Sequence, residues 1–193
     1  MAELIKITDE LYEIRGEASV YVFKDKKIVI GTGFPFEREE IKKKFQEIMD
    51  PEEIKTVVFT HLHMDHCGNF GLFKNARLYA SRKEIEDFDK DPLGTVLDKQ
   101  TAKDLKTVKL FPIEEAGEDS GLGDFTIIET PGHTRGSISL LYKNKILFSG
   151  DTLFRHGYVG RTDLPTSVPE KLAESVSKLK KLKIEIFCPG HNY

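Results

Sequence analysis

The sequence predicts an α+β fold in which two β-sheets pack face to face with helices on the outside. Three observations predict it. Short β-branched and aromatic runs, bounded by turn residues, recur through the 193 residues. Counted in order, the two halves look alike: short strands, one amphipathic helix, then a strand that ends in metal-ligand residue types. A sheet apolar on one face must cover it, and a second sheet with helices behind each is a stable solution.

Strands are expected at 4–7, 11–14 and 20–23, and the turn 24–27 leads into another at 28–30. A loop at 31–35 follows. A helix is expected over 37–49, with Ile41, Phe45, Ile48 and Met49 on one face and Asp50-Pro51 as its stop. Strands at 56–59 and 77–80 come next, and Ser81-Arg82-Lys83-Glu84 reads as a capping box opening a helix toward Phe88. Residues 89–104 are polar, and read either as an excursion that grips substrate or as a solvated connector. Further strands are expected at 107–111, 125–129, 138–142, 145–148 and 184–187. A second capping box, Ser167-Val168-Pro169-Glu170, is expected to open a helix with Val168, Leu172, Val176, Leu179 and Leu182 on one face.

Composition sets the class. The chain is 39% hydrophobic and 32% charged with a net charge of −3, which fits one globular domain spanning 1–193 and gives no reason to invoke nucleic acid or an anionic membrane. No apolar run approaches a membrane span, and the N-terminus lacks the apolar core of a signal peptide. Cys67 and Cys188 make no disulfide framework and read as packing residues, so the expected location is cytoplasmic.

The chemistry concentrates in Thr60-His61-Leu62-His63-Met64-Asp65-His66, directly after the strand at 56–59. Residues two apart on extended backbone face one way, so His61 and His63 can meet at one point while Asp65 and His66 face a second. Imidazole and carboxylate are ligands that zinc and iron accept. His133, Asp151 and His191 each follow a glycine just past the end of a predicted strand. Only His156 among the six histidines stands outside these loops.

The order His-x-His-x-Asp-His, then His, Asp and His, resembles the metallo-β-lactamase superfamily over nearly the whole chain. The resemblance implies a four-layer αβ/βα sandwich with a metal pair at one edge. Residue by residue it places His61, His63 and His133 on one metal, Asp65, His66 and His191 on the other, and Asp151 between them. Ser149-Gly150-Asp151-Thr152-Leu153-Phe154, Gly160-Arg161-Thr162-Asp163-Leu164-Pro165 and Pro189-Gly190-His191-Asn192-Tyr193 are similar to the glyoxalase II and persulfide dioxygenase branch. That likeness gives Arg161 and Tyr193 as substrate-binding residues. Three departures stand out. Gly31-Thr32-Gly33 lacks the acid that many members carry there, Asp163 replaces a Tyr of glyoxalase II, and the sequence ends where glyoxalase II runs on into a helical domain.

The expected cofactor is two divalent metal ions, zinc first, with iron or manganese as alternatives. Metal lowers the pKa of bound water from about 15.7 to about 7. A thioester suits such a site, since its thiol, of pKa about 8.5, leaves without a strong acid. The expected function is therefore hydrolysis of a small anionic thioester, with Asp65 and Asp151 as catalytic residues. The alternatives are a mononuclear iron persulfide dioxygenase and a non-catalytic binding module.

Overall fold

The structure, a computed structural model, describes residues 2–192, so Tyr193 lies outside the described residues. The larger sheet runs in chain order: β1 (Glu3–Lys6), β2 (Leu11–Arg15), β3 (Ser19–Phe23), β4 (Ile28–Ile30), β5 (Thr56–Val58), β6 (Arg77–Ala80) and β7 (Leu110–Pro112). β1 to β4 are antiparallel, as tight turns allow. β4 to β7 are parallel and so need crossovers. These contain α1 (Arg38–Gln46), the short α2 (Met64–Cys67), α3 (Arg82–Lys90), α4 (Pro92–Val96) and α5 (Lys99–Leu105). The smaller sheet has the order β11 (Ile186–Pro189), β10 (Ile146–Gly150), β9 (Ile138–Tyr142), β8 (Phe125–Glu129), with α6 (Pro169–Lys180) between β10 and β11.

The alternation in β3 explains the layering. All five of its residues are buried. Val20 and Val22 point to the helices, joining Val29, Val57, Ile41 and Phe45. Tyr21 and Phe23 point between the sheets, where the Phe23 ring lies 4.7 Å from Tyr142 and 5.7 Å from Phe148. Beyond the smaller sheet, Leu141 and Leu147 pack on Leu179, with Val176 and Leu182 against them. Helices, sheet, sheet and helix thus make the four layers.

Several expectations change. The halves are unequal, because seven strands with α1 to α5 face four strands with α6. The polar stretch 89–104 contains two short helices held by their caps: Asp91 accepts from Gly94 N at 3.0 Å and Asp98 from Thr101 N at 2.7 Å. Helices ordered this way carry little apolar periodicity. α5 runs to Leu105, which shortens the strand expected at 107–111 to Leu110–Pro112. The helix expected to reach Met49 stops at Gln46. Ser81 caps α3 through Glu84 N at 3.2 Å, but the Glu84 carboxylate turns elsewhere. The second capping box does not form. Val168 occupies the cap without a side-chain bond, and Ser167 Oγ donates to His133 O at 2.7 Å instead.

The two sheets are tied at one rim. Ile138 N donates to Thr60 O at 2.9 Å and Ser19 N to Gly190 O at 2.8 Å, while Gly190 N donates to Gly150 O at 2.9 Å within the smaller sheet. Tyr21 Oη donates to Pro189 O at 2.8 Å. The loops after β5, β8, β10 and β11 therefore converge, and these carry the histidines and Asp151.

Candidate metal centre

The loop after β5 stays extended through His63, whose φ and ψ are −64° and 148°, before α2 begins at Met64. Asp65 and His66 thus sit on a single helical turn while His61 and His63 precede it. Ligand atoms of His61, His63 and His133 lie within 4.8 Å of one another, and so do those of Asp65, His66, Asp151 and His191. All seven residues singled out in the sequence are brought together in two adjoining groups. His156 is exposed and belongs to neither.

Hydrogen bonds aim the rings. His61 Nδ1 is 3.2 Å from Thr60 Oγ1, His133 Nδ1 is 2.7 Å from Arg161 O, and His191 Nδ1 is 2.5 Å from Glu17 O. Each of these leaves Nε2 facing inward. His63 offers Nδ1, 2.9 Å from His133 Nε2. Asp151 spans the groups: Oδ1 is 3.1 Å from His66 Nε2, and Oδ2 is 3.3 Å from His191 Nε2 and 3.6 Å from His133 Nε2. Asp65 Oδ2 reaches only the second group, at 3.2 Å from His191 and 3.5 Å from His66. Two glycines allow this density. A Cβ on Gly190 would collide with Asp151 Oδ1, and one on Gly160 with the Asp151 carbonyl.

His61 Nε2 is buried without a hydrogen-bond partner, and His66 Nε2 and Asp151 Oδ1 face each other at 3.1 Å without hydrogen-bond geometry. Orphaned polar atoms are costly in a protein interior. Clustered nitrogen and carboxylate donors of this kind are what a divalent cation satisfies. The residues present fit the metal ions that the sequence implies.

Electrostatics separates the groups. Burial, aided by neighbouring imidazoles, holds His61 well below the usual histidine range and His63 down to about 3. Burial also lowers His133, so the first group is neutral and ready to ligate. In the second group burial opposes protonation, but the carboxylates of Asp151 and Asp65 outweigh it. His66 is raised and His191 is pushed up to about 11. The same imidazoles hold Asp151 and Asp65 below the carboxylate range despite burial.

Two supports escaped the sequence reading. Thr32, in the turn that lacks the family's acid, donates its N–H to His66 O at 2.7 Å, and Asn69 Nδ2 donates to Thr32 O at 2.9 Å. Glu84 is fully buried, accepting from Leu62 N at 2.8 Å and Thr134 Oγ1 at 2.5 Å. It clamps the loop of His61 and His63 to that of His133. Its sequence signal was a local cap, and only tertiary packing shows where the side chain goes. Burial pushes Glu84 up to about 7 from its ordinary 4.5.

Arg161 and Asp163 form an exposed bidentate pair, with Arg161 Nε and Nη2 at 2.7 and 2.6 Å from the carboxylate. Arg161 lines a cavity of about 440 Å³ beside His63, Asp65, His133, Asp151 and His191. No helix among the described residues is long and apolar enough to cross a membrane.

Comparison with known proteins agrees with this geometry. The family model described as the metallo-beta-lactamase superfamily matches residues 14–191. A probable metallo-hydrolase of Methanocaldococcus jannaschii is 35% identical over 144 residues, covering 74% of this chain and 59% of that protein. A hydroxyacylglutathione hydrolase of Hydrogenovibrio crunogenus is 31% identical over 163 residues, covering 82% of this chain and 52% of its own length. The chain thus spans little more than half of these relatives. Among solved structures, the subclass B3 metallo-beta-lactamase BJP-1 of Bradyrhizobium japonicum has a TM-score of 0.69 at 21% identity, covering 98% of this chain and 77% of that one. TTHA1623 in a di-iron-bound form has a TM-score of 0.64 at 21% identity, covering 99% and 92%. At these identities the structural likeness shows the fold.

Two outcomes follow from the electrostatics. Loading the second ligand group should expel a proton from His191 at neutral pH, whereas the first group has none to lose. Calorimetric metal titrations in buffers of different ionisation enthalpy should show proton release in one phase only. For Glu84, the native pKa lies above the unfolded one, so its stabilising effect is complete below pH 4.5 and is lost as pH rises through about 7. In the metal-free protein, the stability difference between wild type and Glu84→Gln should fall by about 3 kcal/mol across that window, measured by denaturant unfolding.

Proposed function

Since the chain belongs to the metallo-beta-lactamase superfamily and is a metallo-hydrolase of it, we propose that it hydrolyses a thioester of an anionic thiol, with two divalent ions, zinc first, held by the seven ligand-type residues. The supporting observation is the position of Asp151, whose carboxylate lies within 4 Å of imidazoles from both groups. When bound, such ions supply a water of pKa near 7 and polarise a carbonyl oxygen. The relatives described as hydroxyacylglutathione hydrolases support the thioester as substrate class.

The protein's own residues have distinct tasks in this reading. His61, His63 and His133, neutral through burial, hold the first position. Asp65, His66 and His191 hold the second. Asp65 also lines the cavity, where its carboxylate orients the attacking water. Asp151 fixes the two positions relative to each other. Neither cysteine competes as a nucleophile. Cys67 is buried with Sγ donating to Leu62 O at 3.3 Å, and burial pushes both its thiol and that of Cys188 up. Arg161 meets the anionic part of the thiol, exchanging its pair with Asp163, which costs little because exposed ion pairs are weak.

Asp151→Asn should abolish cleavage of an acyl-glutathione thioester and lower metal content, read by steady-state kinetics and elemental analysis on the same preparation. Undiminished turnover in that variant would refute the reading. Arg161→Ala should raise KM roughly tenfold with metal content intact, the size expected for one lost charge-assisted contact. An unchanged KM on every cleaved substrate would remove Arg161 from the binding site.

A further inference from the structure

Leu97, between α4 and α5, has φ 66° and ψ 11°, in the left-handed region. That region penalises a branched side chain and is open to glycine or asparagine. The conformation is held from both sides. Leu97 N donates to Leu93 O at 2.9 Å, Asp91 caps α4 and Asp98 caps α5. A turn that glycine would make without strain instead presents a leucine, and that leucine lines the cavity over the ligand groups. Strain of this kind collects where a side chain is needed for function.

The leucine has apolar company. Phe34, Met64 and Val159 line the same cavity. The Phe34 ring lies 4.9 Å from that of Phe36, which is 73% exposed. Met64 stands between His63 and Asp65, so the apolar wall begins beside the reaction centre. Arg161 is the one lysine or arginine of the lining among the described residues. A substrate reacting here has two arms. The charged arm matches Arg161, and the arm joined to the carbonyl by carbon matches the apolar wall.

We propose that Leu97, Met64 and Phe34 form an apolar subsite for the acyl chain, so that the enzyme selects aliphatic acyl groups of several carbons over small or hydroxylated ones. This rests on the thioester-hydrolase reading of the site. Leu97 is a specificity-determining residue, and the α4–α5 corner exists to place it. Each methylene that enters such a wall contributes about 0.8 kcal/mol, or roughly fourfold in affinity. A hydroxyl on the chain would meet the apolar side chains of Leu97, Met64 and Phe34.

The test uses the metal-loaded protein and acetate, butyrate, hexanoate and octanoate, carboxylates that mimic the acyl product. Dissociation constants from calorimetry should tighten about fourfold per methylene through hexanoate. Leu97→Asn, which suits the left-handed backbone, should flatten that slope without lowering the melting temperature. A flat series in the wild-type protein, or a slope that Leu97→Asn leaves intact, overturns the subsite. A marked fall in melting temperature on Leu97→Asn also counts against it, because Leu97 would then be held for packing. Acyl-thioester cleavage is assayed alongside. A steep binding series without cleavage upholds the subsite and refutes the hydrolase reading, whereas cleavage with a flat series does the reverse.

Discussion

A buried carboxylate among buried imidazoles governs this molecule. Asp151 is 7% exposed, and three histidines that crowd it come from loops after β5, β8 and β11. A charge so placed is tolerated only with partners, because desolvation exceeds any single attraction. The partners must therefore arrive together, and the fold is arranged to deliver them. Four strands of two sheets end at one rim, backbone bonds tie those ends, and glycines at 160 and 190 let the loops close around the carboxylate. Glu84 and Thr32 act one step further out, fixing the backbone from which the histidines project.

The asymmetry between the two ligand groups comes from the same interaction. Three imidazoles packed mainly against one another are kept neutral by burial. The two imidazoles packed against Asp65 and Asp151 are raised instead, and His191, pushed up to about 11, keeps a proton. Without metal, the proton on His191 offsets part of the carboxylate charge in the second group. A cation entering there replaces that proton as the positive partner of the carboxylates.

Much of this was legible in the sequence. The ligand residues were visible because histidine is scarce and each stood at a strand end after a glycine or within one dense run. The strands from 11 to 80 were visible because their β-branched and aromatic content is strong. What escaped depends on tertiary structure. α4 and α5 are ordered by Asp91 and Asp98 caps, which leave no apolar period to read. The box at Ser167 failed because Val168 takes the cap position, while the serine hydroxyl accepts from Leu164 N and donates to His133 O, 34 residues away. Glu84 satisfied the local pattern for a cap while its carboxylate served two distant loops. Leu97 gave no signal at all, since nothing local marks a leucine for left-handed backbone.

In the proposed site the seven residues hold two metal ions, with Asp151 between them. This arrangement is tested most directly by reconstituting the purified protein, counting metal per chain, and measuring the metal–metal vector by X-ray absorption on the same sample. Two ions per chain about 3.5–4 Å apart, the spacing of two-metal hydrolytic sites, are expected. A firm ceiling of one ion per chain, with iron preferred and no metal–metal scattering, would contradict it.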